Sequence, residues 1–339
     1  LASLSISVVC PVYNESKHIR TVLDFCIKAS PVEKEVIFID GNSTDQTCAI
    51  ITEYIGLYPN IKLLHNDKRI VPFALNKAIT KAQGDIIVRL DAHTDYSPDY
   101  FEKIIETFST TNADIVGGPM RIAKGNAVQD AIGYATSTFF GVGNSSFHFE
   151  DFEGFTDSVY LGAWKKSIFQ TTGLFDELLK RNQDDEFHYR AKSQGFTIYQ
   201  SPNIKSFYYP RNTFGKLFKQ YFQYGLYKPL VLKKISSAIS LRHLVPSLFV
   251  LYLLSLPFFT IFHLNYAFAP LIMYLVTNLI FASISKKGLL QILRIAWAYF
   301  IIHLSYGSGF LLGLGKIVSS KKQPQTLPIG STQKHKFSQ

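Results

Sequence analysis

The chain has 339 residues, 47% of them hydrophobic and 14% aromatic, with a formal net charge of +10. That is ample for a core and for two domains. Nucleic acid is excluded as the reason for the charge, because no zinc-finger spacing, basic heptad region or aromatic-basic RNP pattern accompanies it. Lys233, Lys234, Arg242, Lys286, Lys287, Lys316, Lys321 and Lys322 instead crowd the edges of apolar segments. Cationic side chains gather there when they meet anionic membrane lipids on the cytoplasmic side.

In chain order, Ile6 to Cys10 is a short β-branched run, and Ile19, Val22, Leu23, Cys26 and Ile27 follow at helical spacing with Ser16 as expected N-cap. The pattern repeats with strands expected at 35–39, 61–64, 86–90 and 113–116, and helices at 44–55, 72–82 and 98–108. Strands alternating with helices of about a dozen residues predict a mostly parallel, doubly wound α/β sheet. From Gly117 to Gly154 the period is lost, and a mobile substrate loop around a weak helix at 128–134 is expected. A strand at 158–164, a helix at 184–193 opened by Asn182, and a strand at 196–200 come next. Phe214 to Lys234 mixes Lys with Phe, Tyr and Leu, as an amphipathic helix in a membrane interface would, or an ordinary surface helix.

No Asp, Glu, Lys or Arg lies between Arg242 and Lys286. That stretch is about twice the roughly 20 residues needed to cross a bilayer. Spans are expected at about 244–263 and 266–285, with a third apolar run at 295–314 interrupted by His303 and glycines. The expected organisation is a catalytic domain over 1–235, membrane helices over 236–316 and a flexible basic tail over 317–339. Leu1 to Ser5 is too short for a secretory signal, so the first domain is expected on the cytoplasmic side of the inner (plasma) membrane, in a multi-pass protein. Cys10, Cys26 and Cys48 sit in apolar periodic segments and read as reduced, buried thiols.

Chemistry-bearing clusters fall where strands should end. Pro11-Val12-Tyr13-Asn14-Glu15 follows the first strand and Asp40-Gly41-Asn42-Ser43-Thr44-Asp45 the second. Asp40 is placed to accept a hydrogen bond from a nucleotide base, or the whole turn simply caps a helix. Lys68 and Arg69 face diphosphate oxygens or are solvated surface charge. Asp91-Ala92-His93 ends the fourth strand, where a carboxylate beside an imidazole suits a divalent metal under a diphosphate. Gln183-Asp184-Asp185-Glu186 opens a helix, and its acids either serve the helix dipole or supply a base; at helical spacing Asp184 shares a face with His188 while Asp185 points elsewhere.

In this order these motifs resemble the family 2 glycosyltransferases, inverting enzymes of GT-A fold, over about residues 5–235. The resemblance implies that Asp40 contacts the base, that Asp91 and His93 stand for the D-x-D that binds ribose and metal, and that Asp184 is the catalytic base. Asp184 follows from aligning the family's downstream Arg with Arg190, with Gln183 where Glu is usual. Pro11, Tyr13, Glu15, Asp40, Arg69, Asp91 and Arg211 form the expected donor-binding set. The D-A-H form, Val159 to Ala163, Gln220 to Gly225 and the C-terminal helices further resemble the succinoglycan-biosynthesis glucosyltransferase subgroup, to about Lys316. The implied chemistry is transfer from a nucleotide-diphosphate sugar, with Mn or Mg, to a polyprenyl-diphosphate-linked glycan acceptor. A processive polysaccharide synthase is the nearest alternative, but Gln220 to Tyr224 matches only the Gln and an aromatic of the Q-x-x-R-W motif of those enzymes. A noncatalytic membrane scaffold is the alternative of another class.

Overall fold

The computed structural model describes residues 4–235 and 241–320. The first half alternates as the sequence pattern requires: β1 (Ile6–Val12), α1 (Ile19–Lys28), β2 (Glu35–Asp40), α2 (Thr47–Ile55), β3 (Ile61–His65), α3 (Val71–Lys81) and β4 (Ile86–Arg89). These strands are apolar on both faces because helices cover both. Val8, Cys10, Val36 and Phe38 pack with Ile19, Val22 and Leu23 of α1, whereas Val9, Ile37 and Ile39 pack with Leu75, Ala78 and Ile79 of α3. The two-residue alternation of strand side chains thus builds two cores around one sheet.

The chain continues through β5 (Thr94–Tyr96), α4 (Tyr100–Thr111), β6 (Ile115–Gly118), β7 (Met120–Ile122), α5 (Ala127–Thr136), α6 (Phe139–Val142), β8 (Gly154–Phe155), β9 (Tyr160–Lys165), α7 (Ile168–Thr172), α8 (Gln183–Ser193), β10 (Ile198–Gln200), β11 (Ser206–Tyr208) and α9 (Phe214–Lys234). The main sheet has the order β3-β2-β1-β4-β9-β6-β10-β8. It is mostly parallel, with β9 antiparallel to β4 and β6 and β8 antiparallel to β10. A second sheet, β5-β11-β7, was not expected, since its strands of three residues are too short to show a period.

Several local expectations are corrected. Ser16 does not cap α1, whose N-cap is His18 without a side-chain bond. The Ser16 backbone N–H instead donates to Asp45, 3.0 Å away. Asn182 is the N-cap of α8, but in a left-handed conformation (φ 59°) and without a side-chain capping bond; its side chain donates to the Tyr224 carbonyl at 3.0 Å, tying α8 to α9. The segment expected as a mobile loop is ordered into β7, α5 and α6. Asn126 and Gln129 form a reciprocal capping box at the start of α5, and Ala131, Ile132 and Ala135 are buried with Ile295, Ala298 and Tyr299.

The C-terminal helices are α10 (Leu241–Ile261), α11 (Ala269–Ser283) and α12 (Leu289–Ser320). All three are long and apolar enough to cross a membrane, α11 taken together with the short turn before it. They differ in surroundings: 17% and 11% of the apolar windows of the first two are buried within the protein, against 50% for α12. One reason is close contact between α9 and α12. A Cβ on Gly225 would lie 2.1 Å from the Tyr306 carbonyl oxygen, and one on Gly309 would lie 2.1 Å from that of Phe222. Only glycine permits two helix backbones to meet so closely. α12 also outruns the expected span at both ends, reaching Ser320, while the rest of the expected tail, 321–339, lies outside the described residues.

Candidate active site

The carboxyl ends of β1, β2, β3 and β4 share one edge of the sheet, the usual ligand edge of an open α/β fold. A cavity of about 1120 Å³ opens there. It is lined by Pro11 at the end of β1, Tyr13 and Glu15 after it, Arg69 after β3, Asp91 and His93 after β4, Asp184 at the start of α8, and Arg211 after β11. Eight of the expected site residues are therefore brought together. Asp40 is the exception: 2% exposed, it does not line the cavity, and its carboxylate accepts the Ser43 N–H at 3.0 Å. The structural role of the turn accounts for Asp40 here, since a buried carboxylate needs such a partner.

Arg89, the last residue of β4, organises the centre. Its side chain is 9% exposed, with Nη1 2.8 and 2.6 Å from the two carboxylate oxygens of Asp184 and Nε 3.1 Å from Oδ1 of Asp91. One guanidinium thereby holds the expected base on one side and the expected metal ligand on the other. Burial works against its charge, but Asp184 and Asp91 outweigh burial and hold its pKa above the ordinary value. Tyr96 fixes the Asp91 backbone, accepting its N–H at 2.7 Å and donating to its carbonyl at 3.1 Å.

His93 directs Nδ1 to Oε1 of Glu15 at 3.0 Å. That hydrogen bond, helped by Asp91 and opposed by burial and Arg211, raises the imidazole pKa. A histidine that gives one ring nitrogen to a carboxylate presents the other, here Nε2, as a metal ligand. One carboxylate and one imidazole fit a divalent cation, which would need further oxygen ligands from substrate or water. No cluster of three or more His, Cys, Asp or Glu side chains able to hold a metal by themselves occurs among the described residues.

Asp185, expected to point away, lines the same cavity and takes the Lys228 ammonium of α9 at 3.1 Å. The amino end of α8 meets the cleft end-on, so successive first-turn residues splay around its mouth instead of taking opposite faces. His188 is fully buried, and desolvation lowers its pKa; Nδ1 lies 2.9 Å from the Ser158 hydroxyl, a cavity residue. Arg190 clamps Glu186 through Nε and Nη2, at 2.8 and 2.9 Å, so the Arg that sets the motif register is a structural residue of α8. α9 supplies part of the remaining wall. Gln220 accepts from Arg211 Nε at 3.3 Å and Gln223 from Arg181 Nε at 3.0 Å.

Arg89 and Lys228 are the functional candidates that motif reading missed. The signal for Arg89 was present as a charge inside the otherwise apolar run Ile86 to Leu90, where only a paired cation is tolerated. Lys228 is 3% exposed yet sits in a helix with five lysines, so nothing in the sequence distinguishes it from its solvated neighbours.

Comparison with known proteins follows the same lines. The model of glycosyl transferase family 2 matches residues 7–169. Succinoglycan biosynthesis protein ExoA of Rhizobium meliloti (strain 1021) is 30% identical over 249 residues, spanning 73% of this chain and 76% of that protein. The dolichyl N-acetyl-alpha-D-glucosaminyl phosphate 3-beta-D-2,3-diacetamido-2,3-dideoxy-beta-D-glucuronosyltransferase of Methanococcus voltae is 32% identical, spanning 68% of this chain and 74% of its own. Among solved structures, the mannosyltransferase PcManGT from Pyrobaculum calidifontis, in complex with GDP-Man and Mn2+, aligns with a TM-score of 0.57 at 17% identity, over 94% of this chain and 88% of that one. S. aureus TarS 1-349 in complex with UDP-GlcNAc aligns with a TM-score of 0.53 at 16% identity, over 92% of each chain. These structural likenesses establish the GT-A fold.

Proposed function

Since the chain belongs to the family 2 glycosyltransferases, we propose that it is a membrane-anchored, inverting enzyme that moves a sugar from a UDP-sugar to a lipid-linked glycan acceptor, in exopolysaccharide or related glycan synthesis. The observation that carries this reading is the Arg89 bridge, which joins Asp184 to Asp91 in the cavity that His93 also lines. Asp184 takes the proton of the acceptor hydroxyl while that oxygen bonds to the anomeric carbon. The bond from that carbon to the diphosphate oxygen breaks on the opposite face, and the nucleoside diphosphate leaves. A single displacement inverts the configuration. Asp91 and His93 would hold Mn or Mg, which supplies Lewis-acid neutralisation of a diphosphate. Arg69 and Arg211 add positive charge on the same leaving group. Tyr13, half-exposed beside Pro11, offers a ring face to the donor base.

The test is nucleotide release by purified protein in detergent, across a panel of nucleotide sugars with Mn or Mg. One preferred UDP-sugar is the expected result; neither transfer nor hydrolysis with any donor would overturn the reading in favour of a scaffold. For topology we place the catalytic domain on the cytoplasmic face of the inner membrane, with α10 and α11 crossing. The α12 helix ends beside α9, because a Cβ on Gly313 would meet Leu226 and Pro229. A Cβ on Gly307 would likewise meet Pro246 near the start of α10, so the carboxyl half of α12 packs where α10 begins, which supports a cytoplasmic tail. Labelling of Ser338→Cys by an impermeant reagent in sealed right-side-out cells, in a background without native cysteines, would refute that.

A further inference from the structure

We infer that the cavity has a second, membrane-facing half that binds the polyisoprenoid phosphate of the acceptor, with the chain leaving past Val245 into the bilayer. The inference rests on the lipid-linked acceptor proposed above and adds where that lipid sits and which residues hold it. At about 1120 Å³ the cavity exceeds what one small ligand needs; a single site typically spans about 300–1,000 Å³. Its walls change character along its length. Pro11, Tyr13, Asn66 and Arg69 line the donor end, whereas Phe140, Pro246, Phe249, Tyr274 and Ile302 line the other.

That far end offers sugar hydroxyls little. His303 donates Nε2–H to the Phe140 carbonyl at 2.8 Å, so its Nδ1 accepts the Tyr274 hydroxyl at 2.9 Å. With these polar atoms satisfied internally, Phe140, Pro246, Phe249, Tyr274 and Ile302 present rings and aliphatic carbon, which favour a hydrocarbon occupant. Its rim is open to lipid: Phe139 is 65% and Val245 59% exposed, and both line the cavity. Val245 also begins an exposed stripe on α10 with Leu248, Leu251 and Leu254 at three-residue spacing, the face that meets acyl chains in a spanning helix. Hydrocarbon can therefore pass from bilayer to cavity without crossing a polar surface. Where the two halves join, the cavity is lined by Arg181, Asp185 and Lys228, the last two paired at 3.1 Å. Gln223 holds Arg181 by Nε, leaving its terminal nitrogens to take phosphate oxygens. A phosphate there stands beside Asp184, which puts the sugar it carries at the expected base.

The test uses the full chain in phosphatidylcholine nanodiscs with radiolabelled undecaprenyl phosphate as probe. Expected are saturable binding of one molecule per chain and at least tenfold weaker binding in Val245→Trp and in Phe139→Asp, two rim positions exposed enough to spare the fold. Arg181→Gln should weaken binding of the phosphate but not of undecaprenol, the same chain without it. UDP affinity with Mn, measured on the same variants, should stay at the wild-type value, which shows that they are folded. Wild-type lipid affinity in both rim variants would overturn the inference. So would equal displacement by phosphatidylglycerol, which would mark a generic anionic-lipid surface, or by inorganic phosphate, which would mark an anion site without a chain. Absence of UDP binding in the wild type, with lipid binding intact, would instead strike the donor reading and leave this one standing.

Discussion

The donor end of the cavity and its membrane end are held together by opposite means. At the donor end, polar side chains lace the loops after β1 and β2: Asn14 N–H donates to Ser43 at 2.9 Å, Thr44 N–H to Asn14 at 2.8 Å, and Glu15 N–H to Thr47 at 2.8 Å. At the membrane end, α9 and α12 touch backbone to backbone at Gly225 and Gly309. Charges that must be aimed within a fraction of an ångström need directional hydrogen bonds. A layer in contact with lipid gains no hydrophobic drive for helix pairing and depends on close packing. The two ends should therefore fail differently when disturbed.

The largest effect is expected at the donor end. Chelation of divalent metal should abolish transfer, and Mn or Mg should restore it. His93→Ala should raise the metal requirement and weaken donor binding together; full activity of this variant at low metal would remove His93 as a ligand. Asp184→Asn comes next, with transfer falling by about a hundredfold to ten-thousandfold, the usual loss for a general base, while donor affinity by calorimetry stays near wild type. Asp185→Asn should cost less. The reverse ranking would move the base to Asp185, which lines the same cavity with Lys228 as its counterion.

The membrane end should lose stability before chemistry. Gly309→Val or Gly225→Leu drives a side chain into the opposing helix backbone. Overpacking of this kind costs about 1–3 kcal/mol, and the layer should loosen while the main sheet stays folded. The readout is earlier proteolysis near α12 with UDP binding preserved. Equal loss of UDP binding would show that both ends fold as one unit.

Legibility divides along the same line. The alternation from β1 to β4 was readable because two-sided burial forces continuous apolar runs, and the clusters after those strands proved to share one edge. The small sheet of β5, β7 and β11 was not readable, and neither was the order in the 117–154 segment, whose α5 is fixed by burial against Ile295 and Tyr299, about 160 residues away in sequence. Asp185 was misplaced because helical periodicity describes the sides of a helix, whereas the cleft receives its end. Asp91 and His93 were singled out at the end of a strand and Asp184 through the family resemblance, and all three line one cavity, but Arg89, which joins two of them, needed the fold to show what its charge meets.

The smallest effect concerns Asp45, which secures the donor-end loops without lining the cavity. Its Oδ1 accepts the Thr47 N–H at 3.0 Å and its Oδ2 the Ser16 N–H at 3.0 Å. Burial pushes this carboxyl up, but the hydrogen bonds from Thr47 and Ser16 outweigh it and hold the pKa well below the ordinary value. A depressed carboxylate adds stability that is fully present above its unfolded pKa, about 4, and is lost as pH falls through the folded value. Asp45→Ala should therefore cost about 1 kcal/mol at neutral pH, comparable to loss of a helix cap. The difference in melting temperature from wild type should shrink as the pH is lowered below about 4, where Asp45 of the unfolded chain begins to protonate while that of the folded protein stays ionised. A difference that stays constant down to pH values where wild type itself unfolds would assign the cost to packing of the loop, and the donor end would then owe less to directional hydrogen bonds than the comparison with α9 and α12 requires.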